Sequence, residues 1–439
     1  MKLYLLDDDK LLNRKHSRRI YGFPKLAYRL NPDPDKKCQS PKVIKGSPLA
    51  PYLMYYSQSD GTKRLPEALV SDDCINWKAL KGLGIKESNG ELVPMYPGAA
   101  EEFLAAVYDE NSEKEKYRLI SNKVIDGKKR QTLLYSEDGL CFSTRVLDWN
   151  DEATEPVSNC FYNKEKKNWS LTVRRYWAER GAGIKETDDF VNFTKWRPVI
   201  MPDSEDLPMD EIYGMVGGAL DELYIGLLSI YHTPYEENYP TKFWKGRMET
   251  QLVYSYDGSY FLRSLRRPFI NTEDPSDFAY GGFYPYDFTD CGEYTVISGL
   301  AQNSEHGIFK EAIACYTVQK DRFCGLESLG GDAYLTTRPI LYNGGDISIN
   351  LSLPVGSYAE AVCQLKDRQN KAIEGFTFSD CLPFAGDEFC WEPKWRDHDI
   401  SLLKGTIFMI EVRWFNGIIW TIEVDGKLIK SASELRLYR

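Results

Sequence analysis

Tyr135-Ser136-Glu137-Asp138-Gly139-Leu140-Cys141-Phe142 has the chemistry of a tight β-hairpin. Asp-Gly supplies the turn, the serine hydroxyl can bond the turn backbone, and the aromatic that follows packs on the neighbouring strand. The pattern returns at Val70-Ser71-Asp72-Asp73-Cys74-Ile75-Asn76-Trp77, at Glu186-Thr187-Asp188-Asp189-Phe190-Val191-Asn192-Phe193 and at Tyr254-Ser255-Tyr256-Asp257-Gly258-Ser259-Tyr260-Phe261. A degenerate fifth copy fits at Ala312, Cys315, Tyr316 and Thr317, followed by Asp321-Arg322-Phe323. Successive copies lie about fifty to seventy residues apart, the length of a four-stranded propeller blade with its loops. Each hairpin therefore reads as the outer pair of a blade.

Between the copies run apolar or alternating segments: Leu53-Met54-Tyr55-Tyr56, Leu104-Ala105-Ala106-Val107-Tyr108, Trp169-Ser170-Leu171-Thr172-Val173, Leu223-Tyr224-Ile225-Gly226-Leu227-Leu228 and Tyr294-Thr295-Val296-Ile297-Ser298. These read as inner strands, and no stretch sustains a helical period. The reading is all-β, with a five-bladed β-propeller over residues 1–326. Gly330-Gly331 marks the point where the repeat stops. The short strands Ile347–Leu351, Ala359–Leu365, Phe408–Trp414 and Trp420–Gly426 then suit a C-terminal β-sandwich over residues 327–439, whose expected job is to buttress the propeller.

The chain has 439 residues, a natural length for two domains. Its net charge of −10, with no long Lys/Arg block, opposes binding to a phosphate backbone, so nucleic acid is not an expected partner. Asp7-Asp8-Asp9 interrupts the N-terminus before a signal-peptide core could form, and no apolar run approaches eighteen residues. The expectation is a cytoplasmic protein with no membrane span. Ten cysteines are scattered singly, without metal-ligand spacing, and read as reduced thiols; neither a metal nor another cofactor is expected. The acidic run Asp203-Ser204-Glu205-Asp206 lacks the ordered spacing of a calcium loop and reads as a solvated turn. Aromatic residues make up 13% of the chain, a bias that serves strand packing and also suits sugar-binding surfaces.

Asp210-Glu211-Ile212-Tyr213-Gly214-Met215, Gln251-Leu252-Val253-Tyr254-Ser255-Tyr256-Asp257-Gly258 and Arg267-Pro268-Phe269-Ile270, together with the turn repeat, resemble bacterial proteins described as glycosyl hydrolase family 32 N-terminal-like. The tail segments Leu335-Thr336-Thr337-Arg338-Pro339, Gly375-Phe376-Thr377-Phe378-Ser379-Asp380-Cys381 and Gly386-Asp387 are similar to their C-terminal β-domain. The wider superfamily of five-bladed glycosidases, families 32, 43 and 68 among them, places carboxylates at the starts of the innermost strands. Cleaving a glycosidic bond needs one carboxyl to donate a proton and another to attack or to activate water.

That position ranks the acids the resemblance implies. Glu211 is the expected proton donor and Glu155 its charged partner, with Asp277 or Glu102 completing the set and Asp210, beside Glu211, a further candidate. Arg174, Arg175, His306, Trp177 and Tyr213 are candidates for substrate binding, the arginines through bidentate contacts and the aromatics through stacking. One departure stands out: Cys38-Gln39-Ser40-Pro41-Lys42 holds no carboxylate where the named families open blade one with an Asp. The leading expectation is a hydrolase acting on an oligosaccharide or glycoside. A phosphorolytic or transferase relative, with a cationic pocket of Arg174, Arg175 and His306, is one alternative; a non-catalytic carbohydrate-binding propeller is the other.

Overall fold

The computed structural model describes residues 1–30, 37–59, 61–100, 102–149, 154–155, 159–175, 180–233, 246–274, 277–305, 311–354 and 358–438, with only the backbone of Lys129, Thr154, Glu155 and Arg175. Regular structure among them is strand, apart from a 3-10 turn at Ile400–Leu403 and a short helix at Ala432–Leu437. No helix is long and apolar enough to cross a membrane.

Residues 24–318 form one compact unit, the five-bladed propeller. Blade one runs Lys37–Ser47, Ala50–Ser59, Arg64–Ser71 and Lys78–Leu80; blade two runs Glu102–Tyr108, Tyr117–Ile125, Lys128–Ser136 and Cys141–Val146, extended by Gly84–Lys86 and Leu92–Pro94. Blade three is built from Thr154–Glu155 and Cys160–Asn163, both paired to Asn168–Arg175, then Ala182–Thr187 and Arg197–Ile200. Blade four is Asp210–Leu220, Leu223–His232, Arg247–Ser255 and Leu262–Ile270. Blade five is Gly282–Asp290, Tyr294–Gln302 and Glu311–Gln319, and its outer strand is Lys25–Leu30. The innermost strands touch in a closed circuit round the channel, with blade five returning to blade one.

The turn repeat is real, and its chemistry is shared by four blades. Asp73, Asp138, Asp189 and Asp257 each accept backbone N–H groups two and three residues on through Oδ1, at 2.7 to 3.3 Å. The hydroxyl two residues earlier donates to the same oxygen. The residue after each aspartate has positive φ: Gly139 and Gly258 occupy that conformation freely, whereas Cys74 (60°) and Phe190 (56°) adopt it at a steric cost. Both of those side chains are fully buried, which offsets the cost.

The fifth copy differs from expectation. Asp321-Arg322-Phe323 does not complete blade five; Lys25–Leu30 closes it, with Ile313 opposite Leu30 and Thr317 opposite Lys25. A strand from the other end of the chain thus completes the last blade and latches the ring.

A bulge lies near the start of the innermost strands of blades one, two, four and five. The register shifts between Gln39 and Lys42, between Phe103 and Ala105, between Ile212 and Gly214 and between Pro285 and Asp287. In blades four and five the extra residue is a tyrosine, Tyr213 or Tyr286. A bulge sharpens the twist and re-aims the side chains beside it.

The second unit does not follow a single cut at 326/327: Met1–Phe23 belongs with Gln319–Arg439. Lys2–Tyr4 pairs with Ile418–Leu428, Leu11–Lys15 with Ala333–Thr337 and Ser17–Tyr21 with Cys324–Ser328. The N-terminal ammonium donates to the Val424 carbonyl at 2.9 Å, and Leu3, Leu5 and Leu11 enter the same core as Phe408, Val412, Trp414 and Ile422. The acids of Asp7-Asp8-Asp9 sit at the surface between these strands, Asp8 meeting Arg14 at 2.9 Å. The strands fold over one core as the expected sandwich, joined where Ile340 and Leu341 pair with Phe408 and Ile407.

Asp138→Ala should lower stability by about 1 kcal/mol, the usual loss for a capping carboxylate, measured by urea denaturation. Partial burial works against ionisation of Asp189, but the Asn192 and Val191 N–H groups outweigh it and hold the carboxyl down to about 2. A depressed pKa stabilises the fold fully above the unfolded value near ~4 and loses that contribution as pH falls through the folded value. The difference in Tm between wild type and Asp189→Ala should therefore shrink between pH 5 and pH 2.

Candidate active site at the channel mouth

Strands alternate in direction within a blade, so the first residue of an innermost strand, the last of the second and the first of the third emerge at one end. At this end Glu155 stands opposite Arg174, Glu211 opposite Tyr231, and Asp210 opposite His232. Glu102 stands there opposite Asn122, and Glu311 opens the third strand of blade five.

Tyr213 lies at the centre of the blade-four contribution. Its ring meets Tyr231 and Tyr284 edge-on, with centroids 5.8 and 5.3 Å apart. The Arg174 guanidinium lies 4.2 Å from the ring centroid and that of Arg180 5.2 Å, while Arg174 also donates to the Tyr213 carbonyl at 3.1 Å. Arg180 forms an ion pair with Glu211 at 3.0 Å. Two cations, a carboxylate and an aromatic face are thus held together by blades three and four.

Facing blade one is a second acidic group. Glu102 accepts from Asn122 at 3.3 Å and lies 3.9 Å from Arg64; Asn122 in turn accepts from Gln131. Glu311 is 9% exposed and accepts from Gln302 at 3.3 Å. Burial pushes its carboxyl up to about 7; Gln302 and the cations Lys37 and Arg64 oppose that rise, while the Glu102 charge adds to it. Glu102 and Glu311 both act on the buried Tyr286 hydroxyl, whose ionisation burial already disfavours.

Asp210 is engaged differently from its neighbour. His232 donates from Nδ1 to Asp210 at 2.8 Å and from Nε2 to Glu249 at 3.1 Å. Glu249 has the larger effect and, with Asp210, raises the imidazole to about 9 against the opposing cost of burial. A cavity of about 390 Å³ adjoins this group, lined by His232, Arg247, Glu249, Thr272, Glu273 and Glu305 among others.

Deeper in the channel, where blade one lacks a carboxylate, Lys42 is fully buried and donates to the Tyr286 carbonyl at 2.8 Å. Asp287 faces it and accepts from the N–H groups of Val43 (3.0 Å) and Phe288 (2.9 Å). Burial pushes the lysine down and the aspartic acid up, each against the pull of the other.

Of the expected residues, Arg174 and Tyr213 touch, Glu211 is linked to them through Arg180, and Glu102 lies at the same end with Glu311. Asp210 is committed to His232. Asp277 shapes the turn ahead of Gly282–Asp290: its carboxylate accepts from the Ala279 N–H at 2.9 Å and its carbonyl from Tyr280 at 3.1 Å. The backbones of Glu155 and Arg175 reach the mouth as paired neighbours of Arg174 and Thr154, but their side chains, with all of Trp177 and His306, lie outside the described residues. Sequence reasoning passed over Glu311, Arg180, His232, Glu249, Lys42 and Asp287. A search confined to the starts of innermost strands cannot find Glu311 or Glu249, which lie in third strands, or His232, which ends a second one. No group of metal-ligating side chains occurs among the described residues.

No family model and no curated protein matches the chain. Among solved structures it is similar to a fructofuranosidase from Schwanniomyces occidentalis, with 10% identity over 92% of this chain and 98% of that one and a TM-score of 0.43. It is also similar to a glycosyl hydrolase from Bacteroides ovatus, with 9% identity, 67% and 94% coverage and a TM-score of 0.45. A family 117 glycoside hydrolase from Zobellia galactanivorans gives 15% identity, 70% and 90% coverage and a TM-score of 0.41.

His232 should titrate far above an ordinary histidine in an NMR pH series, remaining cationic at pH 7, and Glu249→Gln should bring its midpoint back towards ~6.5. A raised pKa means the contribution to stability is complete below the unfolded value near ~6.5 and is lost as pH rises through about 9.

Proposed function

We propose that the chain cleaves a glycosidic bond of an oligosaccharide or glycoside at the channel mouth. The observation that carries this reading is the unequal pair Glu102 and Glu311: one carboxyl is buried and held protonated near neutrality, partly by the charge of the other. Neighbouring carboxyls whose environments differ in this way divide the work of acid and base. Glu311 is the proton donor, burial keeps it protonated with a smaller contribution from Glu102, and Glu211 is the carboxylate that attacks the sugar or activates water. This reverses the role expected for Glu211, which lies in an ion pair with Arg180 at 3.0 Å, apart from the buried Glu311. Tyr213 and the surrounding tyrosines supply the apolar, hydroxyl-edged surface that a sugar ring needs.

Phosphorolysis is the second reading, favoured by the two guanidiniums of Arg174 and Arg180 over Tyr213 beside Glu211. In that case the attacking group is phosphate held by the arginines, and turnover requires added phosphate.

A screen of aryl glycosides and oligosaccharide pools, with and without phosphate, identifies a substrate. On it, Glu311→Gln should cut kcat by about 10²- to 10⁴-fold. The loss should be smaller on aryl glycosides, whose leaving groups need less protonation. Wild-type activity should fall as pH rises through about 7, since the donor must carry its proton. Glu102→Gln should move that limb to lower pH. Full activity in both Glu311→Gln and Glu211→Gln, with the fold intact, would refute the assignment.

A further inference from the structure

At the end of the propeller opposite the mouth, the turn Asp73–Asn76 of blade one meets the turn that joins the first two strands of blade five. Tyr294 donates its hydroxyl to the Asp73 carbonyl at 3.1 Å, and Lys45 donates to Asp290 at 2.9 Å. Between these two contacts the side chains of Cys74 and Cys291 come together beside Tyr52, and the Cys291 thiol lies 3.6 Å from the Thr289 carbonyl. Both cysteines belong to one apolar cluster with Tyr52, Tyr294, Val296 and Cys315. Cys74 is fully buried at its positive-φ turn position, whereas Cys291 is partly exposed.

We propose that Cys74 and Cys291 form a dithiol site that closes to a disulfide across the seam between blades one and five, with a small-molecule disulfide such as glutathione disulfide as oxidant. The two thiols are not equivalent. The neighbouring Cys74, helped by Tyr52 and Lys45, lowers the partly exposed Cys291 thiol against burial and the Asp290 charge, whereas Cys291 and burial together raise Cys74. Cys291 is therefore the attacking sulfur and Cys74 the resolving one.

In the first step the Cys291 thiolate attacks one sulfur of glutathione disulfide, forming a mixed disulfide and releasing one glutathione thiolate. In the second, Cys74 gives its proton to that departing thiolate or to solvent, and its sulfur attacks the Cys291 sulfur. The Cys74–Cys291 bond forms and the second glutathione leaves. Two protein thiols are oxidised and one glutathione disulfide is reduced to two glutathiones. Cys315 shares the cluster but is fully buried, with its sulfur 3.8 Å from the Ser298 hydroxyl; Cys390, in the other unit, is exposed and reports reaction of an isolated thiol.

The test is incubation of the full chain with glutathione disulfide at mildly alkaline pH, then denaturing alkylation, digestion and mass spectrometry. The expected product is a Cys74 peptide cross-linked to a Cys291 peptide, lighter by two hydrogens than the reduced pair and released by dithiothreitol. Cys291→Ser should abolish the cross-link, while Cys74→Ser should leave glutathione trapped on Cys291. The proposal is overturned if Cys390 is fully glutathionylated while Cys74 and Cys291 are both recovered alkylated. It is also overturned if wild-type Cys291 stops at the mixed disulfide, or if Cys74 is found joined to Cys315.

Discussion

A register shift near the start of the innermost strands is the constraint on which the channel chemistry depends. In a regular strand, residues alternate between two faces, so only every second side chain can point the same way. The bulges at Tyr213 and Tyr286 add one residue to the strand without adding one to its partner, and so re-aim the side chains beside them. Around those rings the charged groups take their places: Arg174 and Arg180 on the face of Tyr213, and Glu102 and Glu311 acting on Tyr286. The aromatic floor is thus a product of backbone geometry before it is one of side-chain choice.

Beneath that floor, Lys42 and Asp287 take up the position where an acid was expected in blade one. A buried opposite-charge pair contributes little net stability, because desolvation offsets the attraction, but removing one partner leaves a charge that nothing compensates. The pair joins blade one to blade five at their innermost strands, since Lys42 binds the Tyr286 carbonyl and Asp287 binds the Val43 N–H. The lysine therefore has a structural task, tying the innermost strands of blades one and five together.

Much of the architecture was legible because it is written in local chemistry. The Asp-centred turn recurs in four blades with the same hydrogen bonds, and even Cys74 and Phe190, which lack the freedom of glycine, adopt its positive φ. Blade five was the exception, since no local pattern announces that Lys25–Leu30 pairs with a strand almost three hundred residues later. The same blindness to distance hid Met1–Phe23 in the second unit. For the candidate site, position along an innermost strand pointed to Glu102 and Glu211, which stand at the mouth, but could not separate Asp210, bound to His232, or Asp277, bound to its own turn. Glu311 was invisible for a different reason: its distinction is burial beside another acid, a property of neighbours that no linear spacing records.

The interleaving of the two units has a consequence for how the protein is made. Strands within the first 23 residues leave the ribosome before any of their partners, which lie beyond residue 318, have been synthesised. The propeller must assemble in the interval, and its own ring stays open until Ile313–Thr317 emerges to receive Lys25–Leu30. Such distant pairings carry a large loop-closure cost and fold slowly. During translation the leading segment is a row of unsatisfied strand edges, held in waiting for the last stretch of the chain, and that interval is when the nascent protein is most open to pairing with a stranger.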